Sequence, residues 1–402
     1  MRGAECEVRC AGAYTGGSVS ERLFTPRFFT MFAYSFTVFV SLFQLLPVAP
    51  YRMKALGGST AVAGLFLGLL TYSSAFSAPF TGAMVDRIGQ RRVLIGVSLI
   101  LAACSTSYAF ISDYRVMLAV VVVHGFFWSG LLSASSAYMT STIPEPRRAE
   151  GLGYWGLASV TAMAVAPSLG FWVYRHGWLG ICLEMIALNL IMAIIAWRLP
   201  DDRVPAHASD SSDSPSSLIE WRVVVLSITL SLVAFGYGGL TSFSALFADD
   251  LDVTPRSLFL TGMAASILVG RLTLGRSLDR IGHRRVFLTV MITPAMGLLA
   301  LAMAWDGVSI VAAGVIFGAG FGLMWPAYAA YVMRHVAANR RGAAFGAIIA
   351  AFDTGVGTGS SALGALIHHF GFRAGFAAAA GLAALSLPYF LFAENRLGYK
   401  KD

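Results

Sequence analysis

Apolar residues in this chain gather into long unbroken runs set apart by short polar stretches, with neither a period of two nor a narrow helical stripe. The first is FFTMFAYSFTVFVSLFQLL. A helix needs about 20 apolar residues to cross a hydrocarbon layer ~30 Å thick, because every backbone polar group there must bond within the segment. Twelve runs of that kind occur, at residues 27–49, 60–81, 93–111, 116–138, 151–173, 178–199, 222–247, 257–277, 286–304, 309–332, 342–367 and 372–393. The pattern predicts an all-α integral membrane protein with twelve transmembrane helices.

Composition agrees. Hydrophobic residues make up 57% of the 402 and charged residues 12%, against roughly 45–50% and about 25% in soluble domains. Charge then sets the topology. With both termini in the cytoplasm, cytoplasmic segments hold 22 of the 29 Lys and Arg, outer segments six, and Arg271 lies inside span 8. That is a strong positive-inside bias. It accounts for the net charge of +8 and leaves no basic patch with interleaved aromatics, so no nucleic-acid partner is expected. The first 26 residues lack the apolar core of a signal peptide and read as a cytoplasmic tail.

The chain also repeats itself. GAMVDRIGQRRV at 82–93 returns as GRSLDRIGHRRV at 275–286, a shift of 193 residues. The same shift pairs Asp113 with Asp306, Gly125 with Gly318, Tyr138 with Tyr331, Arg147-Arg148 with Arg340-Arg341, and Gly153 with Gly346. Two pseudo-symmetric six-helix bundles follow, at 27–199 and 222–394. A Ser-, Asp- and Pro-rich cytoplasmic linker at 200–221 joins them, with tails at 1–26 and 395–402. Parallel repeats of this kind are a transporter architecture, with solute held between the halves.

The doubled phrase G-x-x-x-D-R-x-G-x-R-R, between spans 2 and 3 and between spans 8 and 9, resembles the signature loop of the major facilitator superfamily. The resemblance covers nearly the whole chain and implies the major facilitator fold. It also implies a role for the loops as a conformational latch that holds the cytoplasmic side when the protein opens outward. The residues concerned are Gly82, Asp86, Arg87, Gly89, Arg91 and Arg92, and in the second copy Gly275, Asp279, Arg280, Gly282, Arg284 and Arg285. Partners for the two aspartates are expected at Arg147-Arg148 and Arg340-Arg341, which open spans 5 and 11 with their positive dipole ends. Gly82 and Gly89, with Gly275 and Gly282, should allow close helix approach and a tight turn. The alternative is charge that only sets topology.

In this superfamily spans 1, 4, 7 and 10 surround the solute. The polar and aromatic residues there are Tyr34, Thr37, Ser41 and Gln44; His124 and Trp128; Tyr237, Thr241 and Ser244; and Trp325 and Tyr328. They make an expected cavity of aromatic walls and neutral hydrogen-bonding groups, each with helix packing as its plain alternative. Gly314, Gly318 and Gly322 form a small-residue face suited to close packing. Ionisable residues inside a membrane are costly and mark function. Asp353 lies 11 residues into span 11, about 16 Å deep. It is the first candidate for proton coupling, ahead of Glu184 and His124; a structural aspartate paired with Arg271 is the alternative.

Direction is read from the resemblance to bacterial efflux branches. Gly153, Ala162, Ala166, Pro167 and Gly170 follow a degenerate form of the exporter pattern in span 5. Span 4 departs from the family's antiporter pattern, with Val121 where an arginine is expected and His124-Gly125 in place of Gln-Gly. The expectation is a secondary transporter, a proton-coupled exporter of a small organic solute working by alternating access. It would sit in a bacterial inner membrane among its lipids and act as a monomer. A proton-coupled importer is the near alternative and a transport-inactive sensor the distant one. No nucleophile elbow, phosphate loop or metal spacing occurs, so neither enzyme activity nor a metal or cofactor is expected. Cys6, Cys10, Cys104 and Cys182 suggest no disulfide framework.

Overall fold

A computed structural model of the chain describes residues 23–200, 220–274, 282–337 and 340–398. The amino-terminal tail and most of the linker fall outside these residues. Helices α1 (Pro26–Ala55), α2 (Thr60–Ile88), α3 (Gln90–Phe110), α4 (Tyr114–Thr142), α5 (Arg148–Tyr174) and α6 (Trp178–Arg198) form the first bundle. The second holds α7 (Trp221–Asp250), α8 (Leu258–Leu274), α9 (His283–Val290), α10 (Ile292–Ala302), α11 (Gly307–Arg334) and α12 (Arg341–Leu397). Ten helical spans are long and apolar enough to cross a membrane among the described residues, with α9 and α10 counted as one. The shorter α8 adds a pass, and α12 contributes two passes that meet at Gly371, whose backbone is non-helical (φ 83°, ψ 169°). The twelve passes expected from the apolar runs are therefore present.

Local chemistry sets the ends. Thr25 caps α1 by accepting from the Phe28 N–H, and Pro26 at the first position loses no helical bond. Asp306 and Ser309 form a reciprocal capping box on α11, and those hydrogen bonds hold the Asp306 carboxyl below the usual aspartate range. The turns within the repeated phrase are glycines of matching geometry, Gly89 at φ 96° and Gly282 at φ 95°. L side chains avoid that region, so one residue reverses the chain between two helices.

The repeat is visible in the packing. In the first bundle α1 lies on α5, α2 on α4 and α3 on α6; in the second, α7 lies on α12, α8 on α11 and α10 on α12. Small residues bring these pairs close. A Cβ placed on Gly314, Gly318 or Gly322 would fall 2.4 Å from Phe259 O, 2.3 Å from Met263 O and 2.8 Å from an Ile267 methyl, so α11 lies against α8 almost backbone to backbone. Gly82 behaves otherwise. Nothing lies within 4 Å of a Cβ built there, so it mediates no close helix approach in this conformation.

The two bundles touch mainly at one end, the end that carries the α1–α2 turn. There the Ser360 hydroxyl donates to Gly64 O at 2.8 Å, and the Tyr72 and Thr358 hydroxyls bond at 2.6 Å. On the other flank Ser168 of α5 bonds Ser257 at 3.0 Å and Thr261 of α8 at 3.1 Å. Arg256 pairs with Asp249 at 2.6 Å and lays its guanidinium over the Tyr51 ring of the first bundle, 5.0 Å from the centroid. Toward the opposite end, Phe76 and Phe80 of α2 and Phe345 and Ile349 of α12 are exposed. Among the described residues, the conformation is closed at the α1–α2 end, and no hydrogen bond or ion pair joins the bundles at the α2–α3 end.

Candidate functional site

The seam between the bundles is where the expected cavity residues should converge, and Tyr237 and Trp325 of the second bundle do. Tyr237 of α7 stacks on Phe321 of α11 with centroids 4.6 Å apart. Phe352 of α12 closes the group, 6.2 Å from Tyr237, 6.2 Å from Phe321 and 5.1 Å edge-on from Trp325. Trp325 is only half-buried, so the cluster keeps an open edge. Asp353 follows Phe352 directly and is likewise half-buried. Among the described residues it has no hydrogen bond or ion pair, and the pairing with Arg271 weighed above is not formed. Arg271 instead donates from Nε to Gly322 O at 3.3 Å.

Other expected residues point elsewhere. Tyr34 is fully buried and bonds Ser98 of α3 at 3.0 Å, so its ring lies in the first bundle's core. His124 is turned the same way, with Nδ1 3.2 Å from the Tyr108 hydroxyl of α3 and the two rings stacked. Tyr328 is buried against Phe287 and bonds Ser227 at 2.9 Å. These three hold bundles together and do not line the seam in this conformation. Trp128 packs edge-on against Phe39 of α1. Thr37 and Thr241 return their hydroxyls to Ala33 O and Tyr237 O in their own helices. Ser41 is buried in α1.

Gln44 and Ser244 are different. Both are buried, and neither the Gln44 amide nor the Ser244 hydroxyl has a partner among the described residues. Gln44 sits where α5 comes closest to α1; a Cβ on Gly170 would lie 2.7 Å from its carbonyl. A buried amide left open costs free energy unless something else completes its hydrogen bonds. Glu184, on α6 behind α3 and α1, also keeps an unpartnered Oε2, far from the aromatic cluster in the order of packing.

The charged latch residues of the first copy, Arg91 excepted, are exposed, and among the described residues none is paired across the bundles. Asp86 is exposed with no ion pair among the described residues, Arg87 and Arg92 are exposed, and Arg91 donates to Trp197 O within its own bundle. The expected cationic partners are engaged locally: Arg147 with Glu150 at 2.9 Å, Arg148 with Glu145 at 3.6 Å, and Arg340 with Glu220 at 2.6 Å. Gly275, Asp279 and Arg280 lie outside the described residues, as does the Arg341 side chain. Arg285 is exposed. Arg284 has a different role. Both its Nε and Nη2 bind Glu394 at 2.7 Å, and Tyr331 donates to the same carboxylate at 2.6 Å.

Glu394 escaped the sequence reading because it lies one residue past the twelfth run. The repeat could have found it, since a shift of 193 maps Arg284, Tyr331 and Glu394 onto Arg91, Tyr138 and Asp201. Phe321 and Phe352 were also missed; each is the neighbour of a residue that was noted, Gly322 and Asp353.

A sequence model of the Major Facilitator Superfamily matches residues 27–347 and, in its second placement, 226–401. The chain belongs to the Major Facilitator Superfamily. It is 24% identical over 371 residues to an uncharacterised MFS-type transporter of Escherichia coli K12, YhhS, covering 90% of this chain and 91% of that one. An uncharacterised MFS-type transporter of Pseudomonas aeruginosa UCBPP-PA14 is 25% identical over 379 residues, covering 90% and 92%. Among solved structures, the nucleoside transporter NupG superposes with a TM-score of 0.74 at 16% identity, over 94% of this chain and all of that one. The human organic anion transporter MFSD10 gives 0.66 at 15%, over 91% and 100%. At those identities the structural likeness establishes the superfamily's fold. The chain is thus an integral membrane protein of a secondary-transporter family.

Proposed function

We propose that the protein is a proton-coupled exporter of a small organic solute, acting as a monomer in a bacterial inner membrane with both termini in the cytoplasm. The observation that carries this reading is Asp353. It is a carboxylate within a membrane-crossing helix, half-buried beside an aromatic cluster at the seam, and without a partner among the described residues. Such a group is costly in a membrane and so marks function, and a carboxylate that can be either charged or neutral at the seam is suited to carry a proton.

With the arginine-rich end in the cytoplasm, the observed conformation faces inward. Solute enters from the cytoplasm and settles against Tyr237, Phe321, Phe352 and Trp325, displacing the proton from Asp353. The bundles then rock. The contacts around Gly64, Ser168 and Arg256 part, and Asp86 and Asp279 approach Arg340-Arg341 and Arg147-Arg148 to latch the cytoplasmic side. Release outward lets Asp353 take up an external proton and returns the protein inward. The unpaired Asp86 is what an inward-facing, unlatched state requires.

The test is flux into inside-out vesicles of cells expressing the protein, bathed in a cell extract and given an imposed pH gradient, acid inside. Uptake of specific compounds by wild type, abolished in Asp353→Asn, supports the reading. Uptake of the same compounds by Asp353→Asn at the wild-type rate removes the proton role.

A further inference from the structure

Arg271 is a second intramembrane charge that coupling to Asp353 leaves unused. It lies on α8, and its Nε donates to Gly322 O at 3.3 Å. Gly322 is 12 residues before Arg334, the end of α11, which places that carbonyl about 18 Å along the helix at ~1.5 Å per residue. The guanidinium is therefore drawn inward to the middle of α11 and does not extend to the membrane surface, as a snorkelling arginine would.

It also faces the seam. A Cβ built on Gly156 of α5, in the other bundle, would lie 3.9 Å from Arg271 Nη1. The absent side chain at Gly156 leaves room beside the guanidinium just where the bundles oppose each other. Nη1 and Nη2 have no acceptor among the described residues, and no described carboxylate forms an ion pair with Arg271. An intramembrane arginine costs at least about 2.5–3.5 kcal/mol without compensation. The parallel N–H groups on the open edge of a guanidinium match the two oxygens of a carboxylate or phosphate.

The surroundings describe the rest of such a ligand. Phe321, stacked on Tyr237, precedes Gly322, and Trp325 follows it by one helical turn with an open edge. Asp353 follows Phe352 directly on α12. Rings of this kind suit a flat apolar body, with an oxyanion at the Arg271 end.

We propose that Arg271 is the oxyanion-binding arm of the solute site, so the transported solute carries a carboxylate or phosphate group joined to a flat apolar part. This rests on the reading of the seam as the solute path.

The experiment measures equilibrium binding to the full chain in lipid nanodiscs, by thermal stabilisation, with four probes: benzoate, phenyl phosphate, benzyl alcohol and benzylamine. The expected result is saturable stabilisation by benzoate, phenyl phosphate or both, and none by the neutral or cationic probe. Which anion binds separates a carboxylate solute from a phosphate one. Arg271→Gln should weaken binding by about tenfold or more, because a charge-assisted bidentate contact is lost. Arg271→Lys, which keeps the charge without the fork, should fall between, and it controls for a fold lost in the first variant. The proposal is overturned if benzyl alcohol or benzylamine binds as well as the anions, if neither anion stabilises the protein at millimolar concentration, or if Arg271→Gln binds undiminished. Binding is read without a gradient. A chain that binds oxyanions and moves nothing would therefore defeat the transport reading alone, and a chain that moves only neutral solutes would defeat this one alone.

Discussion

Gly64 offers a substitution whose effect separates the closed end from the rest of the fold. It sits on α2 where α12 of the other bundle crosses it, and a Cβ there would lie 2.3 Å from Ser360 O and 3.1 Å from the Ser360 carbonyl carbon. The obstructing atoms are backbone, so no rotamer change relieves the clash. Ordinary contact needs about 3.4 Å or more, so α2 and α12 must part by roughly 1 Å, and overpacking on this scale costs about 1–3 kcal/mol. Opening the α1–α2 end removes the clash, so the penalty falls on one state only. The gain in helix propensity from alanine, up to about 1 kcal/mol, is common to both states and cancels. Gly64→Ala should therefore shift the population toward opening at this end by roughly 5- to 150-fold. Gly359 is the control. A Cβ there would lie 1.9 Å from Phe235 O of α7, inside the second bundle. Gly359→Ala should lower stability without moving the balance between states. Spin labels on Lys54 and Asp252, exposed residues of opposite bundles at the closed end, report the distance by pulsed electron resonance. A longer distance for Gly64→Ala and an unchanged one for Gly359→Ala is the predicted result. Equal distributions in wild type and Gly64→Ala, with both proteins folded, would refute the reasoning.

Three further outcomes follow from the same geometry. Arg256→Ala removes the cation–π contact with Tyr51 across the bundles, worth about 0.5–1 kcal/mol at a partly exposed site; it should lengthen the Lys54–Asp252 distance in a smaller fraction of molecules, and no change would deny the contact a gating part. Glu394→Gln leaves the Arg284 guanidinium, only 16% exposed, without its counter-charge, and should destabilise the protein by about 3 kcal/mol; Tyr331→Phe should cost nearer 1 kcal/mol, and equal melting of all three proteins would contradict the assignment. Gly89→Ala forces a side chain into φ 96°, ψ 144° at about 1–3 kcal/mol, measurable by thermal unfolding in detergent, whereas Gly82→Ala, inside α2 where a Cβ meets nothing, should unfold at or above the wild-type temperature, gaining up to about 1 kcal/mol of helix propensity.

Hydrocarbon demands uninterrupted apolar sequence, and that is why the passes were legible. The exceptions sit where backbone chemistry misleads. Pro47 and Pro50 made the first run appear to stop at 49, yet α1 continues to Ala55, its prolines buried against neighbouring helices. The ninth run reads as one span and divides at Met291 into α9 and α10. Which face of a helix looks inward was not legible. A helix that meets lipid on one side and protein on the other is apolar all round, so no stripe marks the seam. Tyr34, His124 and Tyr328 were placed on the solute path by residue type and prove to be turned into their bundles. The repeat, by contrast, carried real three-dimensional information: the matching turns at Gly89 and Gly282 followed from it, and the Arg284–Glu394 pair lay within its reach. The contact of Arg256 with Tyr51 had no such signal, because a loop residue meets the end of a helix distant in sequence only through the tertiary fold.

The central claim is proton-driven movement of a solute along the seam beside Asp353. Metabolite profiling of medium and cell pellet tests it most directly, comparing cells that express wild type, Asp353→Asn or neither, with the proton gradient intact or collapsed by an uncoupler. The account predicts a set of compounds enriched in the medium and depleted in the pellet for wild type alone, and loss of that difference on uncoupling. Enrichment that persists in Asp353→Asn, or that ignores the uncoupler, would contradict it.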